Sequence, residues 1–155
     1  MQITIPTKEI ALKLLSDSNV YINQTFRADR YNNIDRVRYE EENMEFIEYV
    51  YMPENHYKIF TIDDKALVIY GPDDHRVYIN TIYVEPEYHG KGYGKELIQY
   101  IIKDFEENYY PKYYEKLRLA TDKNNEKAIK FYQNNGFEIV SDANQYMYYL
   151  EYKRK

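Results

Sequence analysis

Three glycines fall within residues 89–94 (HGKGYG) of a chain that has five glycines in 155 residues. Glycine lacks Cβ, so it accepts positive φ and lets a ligand approach the main chain. Residues 77–84 before this run are rich in β-branched and aromatic side chains and read as a strand. After it, Leu97, Ile98, Ile101, Ile102 and Phe105 recur at i, i+1, i+4, i+5 and i+8, one face of a helix. A strand, a glycine turn and a helix leave unpaired N–H groups at the positive end of the helix dipole, an arrangement suited to an anion. Two common phosphate fingerprints fail. G-x-G-x-x-G needs glycine where Lys95 stands. G-x-x-x-x-G-K-[ST] fails because Glu96 follows Gly94-Lys95 and because Gly90 is one residue too close.

The rest of the chain fits one domain spanning residues 1–155. Hydrophobic residues make up 44% of it, enough for a core, and 21 of them are tyrosines, whose hydroxyls need partners or water. The absence of cysteine excludes a disulfide, a thiolate nucleophile and a cysteine zinc site. His56, His75 and His89 are too scattered for metal-ligand spacing, so no metal is expected. No stretch resembles a signal peptide or a membrane span, and the expected compartment is the cytoplasm. A net charge of −5 disfavours nucleic acid as main partner and suits a cationic acceptor, although it also serves plain solubility.

Along the chain, residues 3–5 read as a short strand. Thr7 is a candidate N-cap for a helix with Ile10, Ala11, Leu14 and Leu15 on one face, ended by Asp17-Ser18-Asn19. Residues 19–39 show no clean period. They interleave Arg27, Arg30, Arg36 and Arg38 with Phe26, Tyr31 and Tyr39, diluted by Asp29 and Asp35, and read as a solvated face or loop. Residues 40–52 read as a helix stopped by Pro53, with Met44, Ile47 and Tyr51 on one side and glutamates on the other. Strands at 57–62, 66–70 and 77–84 form a meander with turns at Asp63-Asp64 and at residues 71–74. Residues 117–121 read as a strand parallel to the third of these, because a helical crossover separates them. Asn125 caps a helix bearing Ala128, Ile129 and Tyr132, and Gly136 ends it in the left-handed position. Strands at 137–140 and 146–152 close the chain. The order is β-α-α-β-β-β-α-β-α-β-β, an α/β mixed sheet with packed helices.

Two segments resemble one family. HGKGYG fits [QR]-x-x-G-x-[GA], with His89 in place of Gln or Arg. Residues 125–137 fit N-x-x-A-x-x-[FL]-Y-x-x-x-G-F through Asn125, Ala128, Phe131, Tyr132, Gly136 and Phe137. Both are hallmarks of the GNAT superfamily of N-acetyltransferases, whose element order is also the one above. The resemblance covers residues 57–152; the first fifty residues carry only a compatible pattern.

The resemblance implies a GNAT-like acyl-CoA N-acyltransferase fold and acetyl-CoA as acyl donor. Main-chain groups of Ile82, Tyr83 and Val84 would pair with the pantetheine arm, one N–H polarising the thioester carbonyl. His89, Gly90, Lys91, Gly92, Tyr93 and Gly94 would hold the pyrophosphate, helped by Lys91 or Lys95. Asn125 would bond the cofactor arm, and Tyr132 would point at the sulfur as general acid. A free phenol titrates at about 10, close to a thiol, so such a transfer is nearly balanced. An imidazole at position 89 would weaken donor binding or make it pH-sensitive. The general base is open: positions where relatives carry Glu hold Tyr78 and Ala120, leaving Asn80, Glu85, Glu45 and Glu48. The acceptor is an amine of a small molecule or protein, and a homodimer is compatible with the fold. The alternatives are a non-catalytic acyl-CoA-binding module and a toxin acetylating aminoacyl-tRNA.

Overall fold

A computed structural model describes residues 1–28 and 36–154; for residues 36–39 it describes the backbone alone. The elements are β1 (Ile3–Thr4), α1 (Lys8–Phe26), α2 (Arg36–Tyr51), β2 (Lys58–Ile62), β3 (Ala66–Asp73), β4 (Arg76–Val84), α3 (Tyr93–Asn108), β5 (Leu117–Asp122), α4 (Glu126–Asn134), β6 (Phe137–Asp142) and β7 (Met147–Tyr152). Single 3-10 turns occupy Pro53–Asn55 and Pro86–Tyr88. The seven strands form one sheet in the order β1-β2-β3-β4-β5-β7-β6. This is the mixed α/β architecture and element order expected from the sequence. The chain divides into two compact units, Met1–Ile69 with Thr81–Gly94, and Tyr70–Asn80 with Lys95–Lys155.

In the first unit, Thr7 caps α1 by accepting from the Ile10 N–H at 3.2 Å. Ala11, Leu14 and Leu15 of α1 join Ile47 and Val50 of α2 and Ile59, Leu67, Ile69 and Tyr83 of the strands in one buried cluster. The expected stop at residues 17–19 is corrected: α1 continues to Phe26. Those polar residues find partners without leaving the helix. Asp17 meets Lys13 one turn back at 2.9 Å. Asn19 donates to Asn43 of α2 at 2.9 Å, and Asn43 donates to Ser16 at 3.4 Å. A polar seam supplied by the partner helix removes the usual incentive for Ser and Asn to bend the backbone. Helix α2 also begins earlier than expected, at Arg36. The basic–aromatic interleaving therefore splits: Phe26 and Arg27 end α1, while Asp29, Arg30, Tyr31 and Asp35 lie outside the described residues. The side chains of Arg36, Arg38 and Tyr39 lie outside them as well.

Asp63 and Asp64 take φ of 53° and 56°, the left-handed pair that a tight hairpin turn demands. The second turn is corrected. Strand β3 runs through Gly71 and Pro72, and the reversal falls at Asp74-His75, with Asp74 at φ 58°. β3 has eight residues against five in β2, so Pro72 lies beyond the shorter strand, where its missing N–H costs no ladder bond on that side.

In the second unit, β4 and β5 pair in parallel, with Val77 opposite Leu117, as the crossover requires. β7 lies between β5 and β6 and is antiparallel to both. Leu97, Ile98, Ile101 and Phe105 form the buried stripe of α3. Arg118 and Glu151 form an enclosed ion pair at 2.7 Å, and the Arg118 guanidinium stacks on Tyr149 at 4.4 Å. Two phenols of this unit have carboxylate partners: the buried Tyr70 donates to Asp104 at 2.8 Å and the half-buried Tyr152 to Glu106 at 2.6 Å.

Candidate functional site

The site residues named from the sequence divide between the two units. Ile82, Tyr83, Val84, His89, Gly90, Lys91, Gly92, Tyr93 and Gly94 belong to the first; Lys95, Asn125 and Tyr132 belong to the second.

In the first unit, β4 ends at Val84 and a 3-10 turn follows, closed by Tyr88 N–H donating to Glu85 O at 2.8 Å and His89 N–H donating to Pro86 O at 3.2 Å. Ile82 and Val84 are half-buried and Tyr83 is buried. His89 Nε2 lies 2.8 Å from the Val84 carbonyl oxygen. A carbonyl only accepts, so Nε2 carries the proton and donates. That bond is available to the neutral ring and to the imidazolium alike. Its ring also meets Tyr21 of α1 edge-on at 5.9 Å. His89 thus ties the turn back to the strand it leaves.

Gly90 and Gly92 take φ of 77° and 90°, and Gly94 lies in the first turn of α3. A Cβ placed on Gly90 would meet nothing within 4 Å, so conformation and not crowding demands glycine there. Gly92, immediately before α3, has no side chain with which to cap the helix. The first N–H groups of α3 have no intrahelical acceptor and remain directed at whatever approaches the turn. Two cations stand beside it. Lys91 Nζ lies 5.1 Å and Lys65 Nζ 5.7 Å from the centre of the Tyr88 ring. Tyr88 in turn packs edge-on against Tyr93 at 5.6 Å, and the Tyr93 hydroxyl donates to Asp63 at 3.3 Å. Burial first and the Asp63 carboxylate second raise the Tyr93 phenol above its ordinary range. Lys65 was not legible in the sequence: a lone lysine in a hairpin turn has no spacing to mark it.

Among the candidate bases, Glu85 is ion-paired to Lys13 at 3.1 Å with its side chain 13% exposed. The hydrogen bonds that Lys13 donates to Asp17 and Glu85 hold it firmly protonated. Glu48 pairs with Lys8 at 2.9 Å. Glu45 lies on a groove of about 670 Å³ that Leu12, Met44, Ile47 and Met52 also line. Asn80 is exposed near the middle of β4. Burial, then the Asp17 and Glu85 carboxylates, push the Tyr83 phenol up to about 12.

In the second unit, Lys95 is exposed on α3. Asn125 caps α4, its Oδ1 accepting from Ala128 N–H at 3.2 Å, which leaves its amide group as a donor. Tyr132 is 7% exposed, its ring edge-on to Phe131 at 5.3 Å and to Phe137 at 5.9 Å. Its hydroxyl has no hydrogen-bond partner among the described residues. The one fully buried side-chain nitrogen or oxygen left unpaired among them is Arg76 Nε, so the Tyr132 hydroxyl retains some access to solvent. Burial raises this phenol well above its ordinary range, above the balance expected from the sequence, so the group is fully protonated at neutral pH. Gly136 ends α4 at φ 92°, where a Cβ would stand 3.0 Å from Tyr152 Cε1. Among the described residues no cluster of metal-ligating side chains occurs, and no helix is long and apolar enough to cross a membrane.

These features can be compared with known proteins. No curated protein matches the chain in sequence. Among solved structures, the PaiA N-acetyltransferase of Thermoplasma acidophilum in complex with coenzyme A superposes with a TM-score of 0.72 at 19% identity, covering 99% of this chain and 100% of that one. The ribosomal-protein-alanine N-acetyltransferase of Brucella melitensis gives 0.70 at 15% identity, over 97% and 98%. A GNAT family acetyltransferase of Elizabethkingia anophelis with acetyl-CoA bound gives 0.54 at 17%, over 71% and 82%. These likenesses establish the fold. The profile of the Acetyltransferase (GNAT) family matches residues 18–137, most of the chain, and by that match the chain belongs to the GNAT acetyltransferase family.

Proposed function

We propose that this chain, acting as one catalytic domain, transfers the acetyl group of acetyl-CoA to a primary amine of a small molecule or protein. The observation that carries the proposal is the opening of α3. Left-handed Gly90 and Gly92 leave a helix terminus uncapped by side chains, with lysines beside it, in an otherwise acidic chain. That terminus suits the pyrophosphate of the donor, held by main-chain N–H groups of residues 89–94 with Lys91 or Lys95. Main-chain groups of Ile82, Tyr83 and Val84 would pair with the pantetheine amides, and the Asn125 amide would donate to the same arm.

In the reaction, the neutral amine attacks the thioester carbonyl, the C–S bond breaks, and the departing thiolate takes a proton. Tyr132 is the proposed donor of that proton. Its raised range keeps the proton in place at neutral pH, and its hydroxyl is not already committed to a protein acceptor. The ammonium formed on the acceptor releases its own proton to water or to a carboxylate. Glu85 is poorly placed for that step while Lys13 holds it. No metal takes part in this scheme, and no membrane or nucleic-acid partner is needed for it; the cytoplasm is the compartment proposed.

The test is acetyl-CoA titration followed by thiol release over a panel of amines. Binding with release on at least one amine supports the enzyme. Binding without release on any amine favours the acyl-CoA-binding module. Steeply salt-dependent binding of aminoacyl-tRNA would favour the toxin alternative.

A further inference from the structure

We propose that Lys65, on the turn between β2 and β3, forms with Lys91 a paired cationic grip for a phosphate group of the donor's nucleotide half. This rests on the acetyl-CoA reading above and adds a residue outside both family segments. Both ammonium groups lie over the one Tyr88 ring, at 5.7 and 5.1 Å from its centre. Neither has a carboxylate partner among the described residues, in a chain whose acidic residues outnumber basic ones by 26 to 21. Asp64, next to Lys65 in sequence, forms no ion pair with it, and Asp63, two residues away, accepts from the Tyr93 hydroxyl.

The placement of Lys65 is also fixed by the main chain. Its N–H donates to Ile62 O at 2.9 Å, and its carbonyl accepts from Glu85 N–H at 2.9 Å. The second bond joins the hairpin turn to the residue that follows β4, just ahead of the glycine turn. The Tyr93–Asp63 bond ties the same hairpin turn to the first residue of α3. Lys91, by contrast, sits between the two left-handed glycines. One ring therefore gathers a cation from the turn that opens α3 and a cation from a different hairpin. Two ammonium groups gathered at one ring, with no ion pair to a carboxylate among the described residues, repel each other. A phosphate anion relieves that repulsion and gains two charge-assisted contacts.

Calorimetric titration of wild type, K65Q, K65R, K91Q and K112Q with acetyl-CoA and with its 3′-dephospho analogue tests the grip. Lys112, over the Tyr113 ring at 5.2 Å, is the control for loss of a surface lysine on an aromatic face. K65Q is expected to weaken acetyl-CoA binding about 5–30-fold, as K91Q does, with K65R near wild type. Equal weakening for both ligands assigns the grip to the pyrophosphate; weakening for acetyl-CoA alone assigns it to the ribose phosphomonoester. Either result supports the proposal. K65Q binding both ligands as tightly as K112Q does overturns it while leaving the acetyl-CoA reading standing. Wild type that binds neither ligand overturns both.

Discussion

Helices α3 and α4 open in opposite ways. α4 is closed by its own side chain, Asn125, which accepts from Ala128 N–H at 3.2 Å. α3 follows Gly92, which has no side chain to offer, and the backbone before it is left-handed twice. The same contrast separates the glycines. Gly136, at the far end of α4, is left-handed and crowded, with Tyr152 Cε1 3.0 Å from where a Cβ would be. Gly90 is left-handed with nothing within 4 Å. A glycine that is both strained and crowded is explained by folding alone. A glycine that is strained in open space leaves its conformation to be explained by what comes to it. The α4 corner therefore reads as architecture that delivers one side chain, Tyr132, and the α3 corner as a main-chain surface kept free.

Changing the side chain that α4 delivers has the largest expected effect. Tyr132→Phe removes the hydroxyl and keeps the ring against Phe131 and Phe137. Turnover should fall about 10²–10⁴-fold with acetyl-CoA affinity unchanged. Full turnover by this variant would return Tyr132 to the core. Next, Gly136→Ala should destabilise the fold by about 2–4 kcal/mol, from left-handed strain and the Tyr152 contact together. Chemical denaturation measures it, and acetyl-CoA affinity normalised to folded protein should hold. Gly90→Ala inverts that pattern. The methyl has room, so the cost is left-handed strain of about 1–2 kcal/mol, and the Kd for acetyl-CoA should rise about tenfold. If Gly90→Ala loses stability but no affinity, the contrast between the two corners collapses.

A smaller pair of variants separates the two roles of Asn125. Asn125→Ala should lose about 1 kcal/mol of stability with the cap, while Asn125→Asp keeps an accepting oxygen and the stability. The Asp variant loses the amide donor. Weaker acetyl-CoA binding in Asn125→Asp at wild-type stability would show that the cap also serves the donor. Equal affinity would make it a cap and nothing more.

Both corners were legible in the sequence because each is written in residues with few alternatives: glycine where φ is positive, asparagine where a helix starts. The strands and the apolar stripe of α3 were legible by period. What failed did so where polar residues have partners that are distant in sequence. Asp17-Ser18-Asn19 looks like a helix end, but Asn43, 24 residues from Asn19, completes a seam that carries α1 onward. Gly71-Pro72 looks like a turn, but β2 is too short to need the N–H that Pro72 lacks. Lys65 carries no local signal at all, since its place beside Lys91 is set by the hairpin and the Tyr88 ring. The ion pair between Lys13 and Glu85, which occupies one candidate base, joins residues 72 apart and was equally invisible.

The smallest predicted effect compares the units through their phenols. Burial is the leading cause that pushes Tyr83 in the first unit and Tyr152 in the second up to about 12; carboxylates add to it, Asp17 and Glu85 for the one, Glu106 for the other. An unfolded chain releases a phenolic proton at about 10, so over this window the folded state binds more protons than the unfolded state. The stability tied to these groups is therefore fully present below about pH 10 and is lost as the pH rises toward 12. The thermal midpoint should fall between pH 9.5 and about 11.5, and Tyr83→Phe and Tyr152→Phe should each flatten that fall. Tyr152→Phe also removes the bond to Glu106 at 2.6 Å, so its midpoint should start lower and change less. The Tyr83 hydroxyl has no such bond to lose among the described residues, so Tyr83→Phe should start near wild type and separate from it only as the pH rises. A Tyr83→Phe curve parallel to wild type across the whole range would mean that carboxylates and burial do not hold that proton, and that the end of β4 is more open to water than its buried ring indicates.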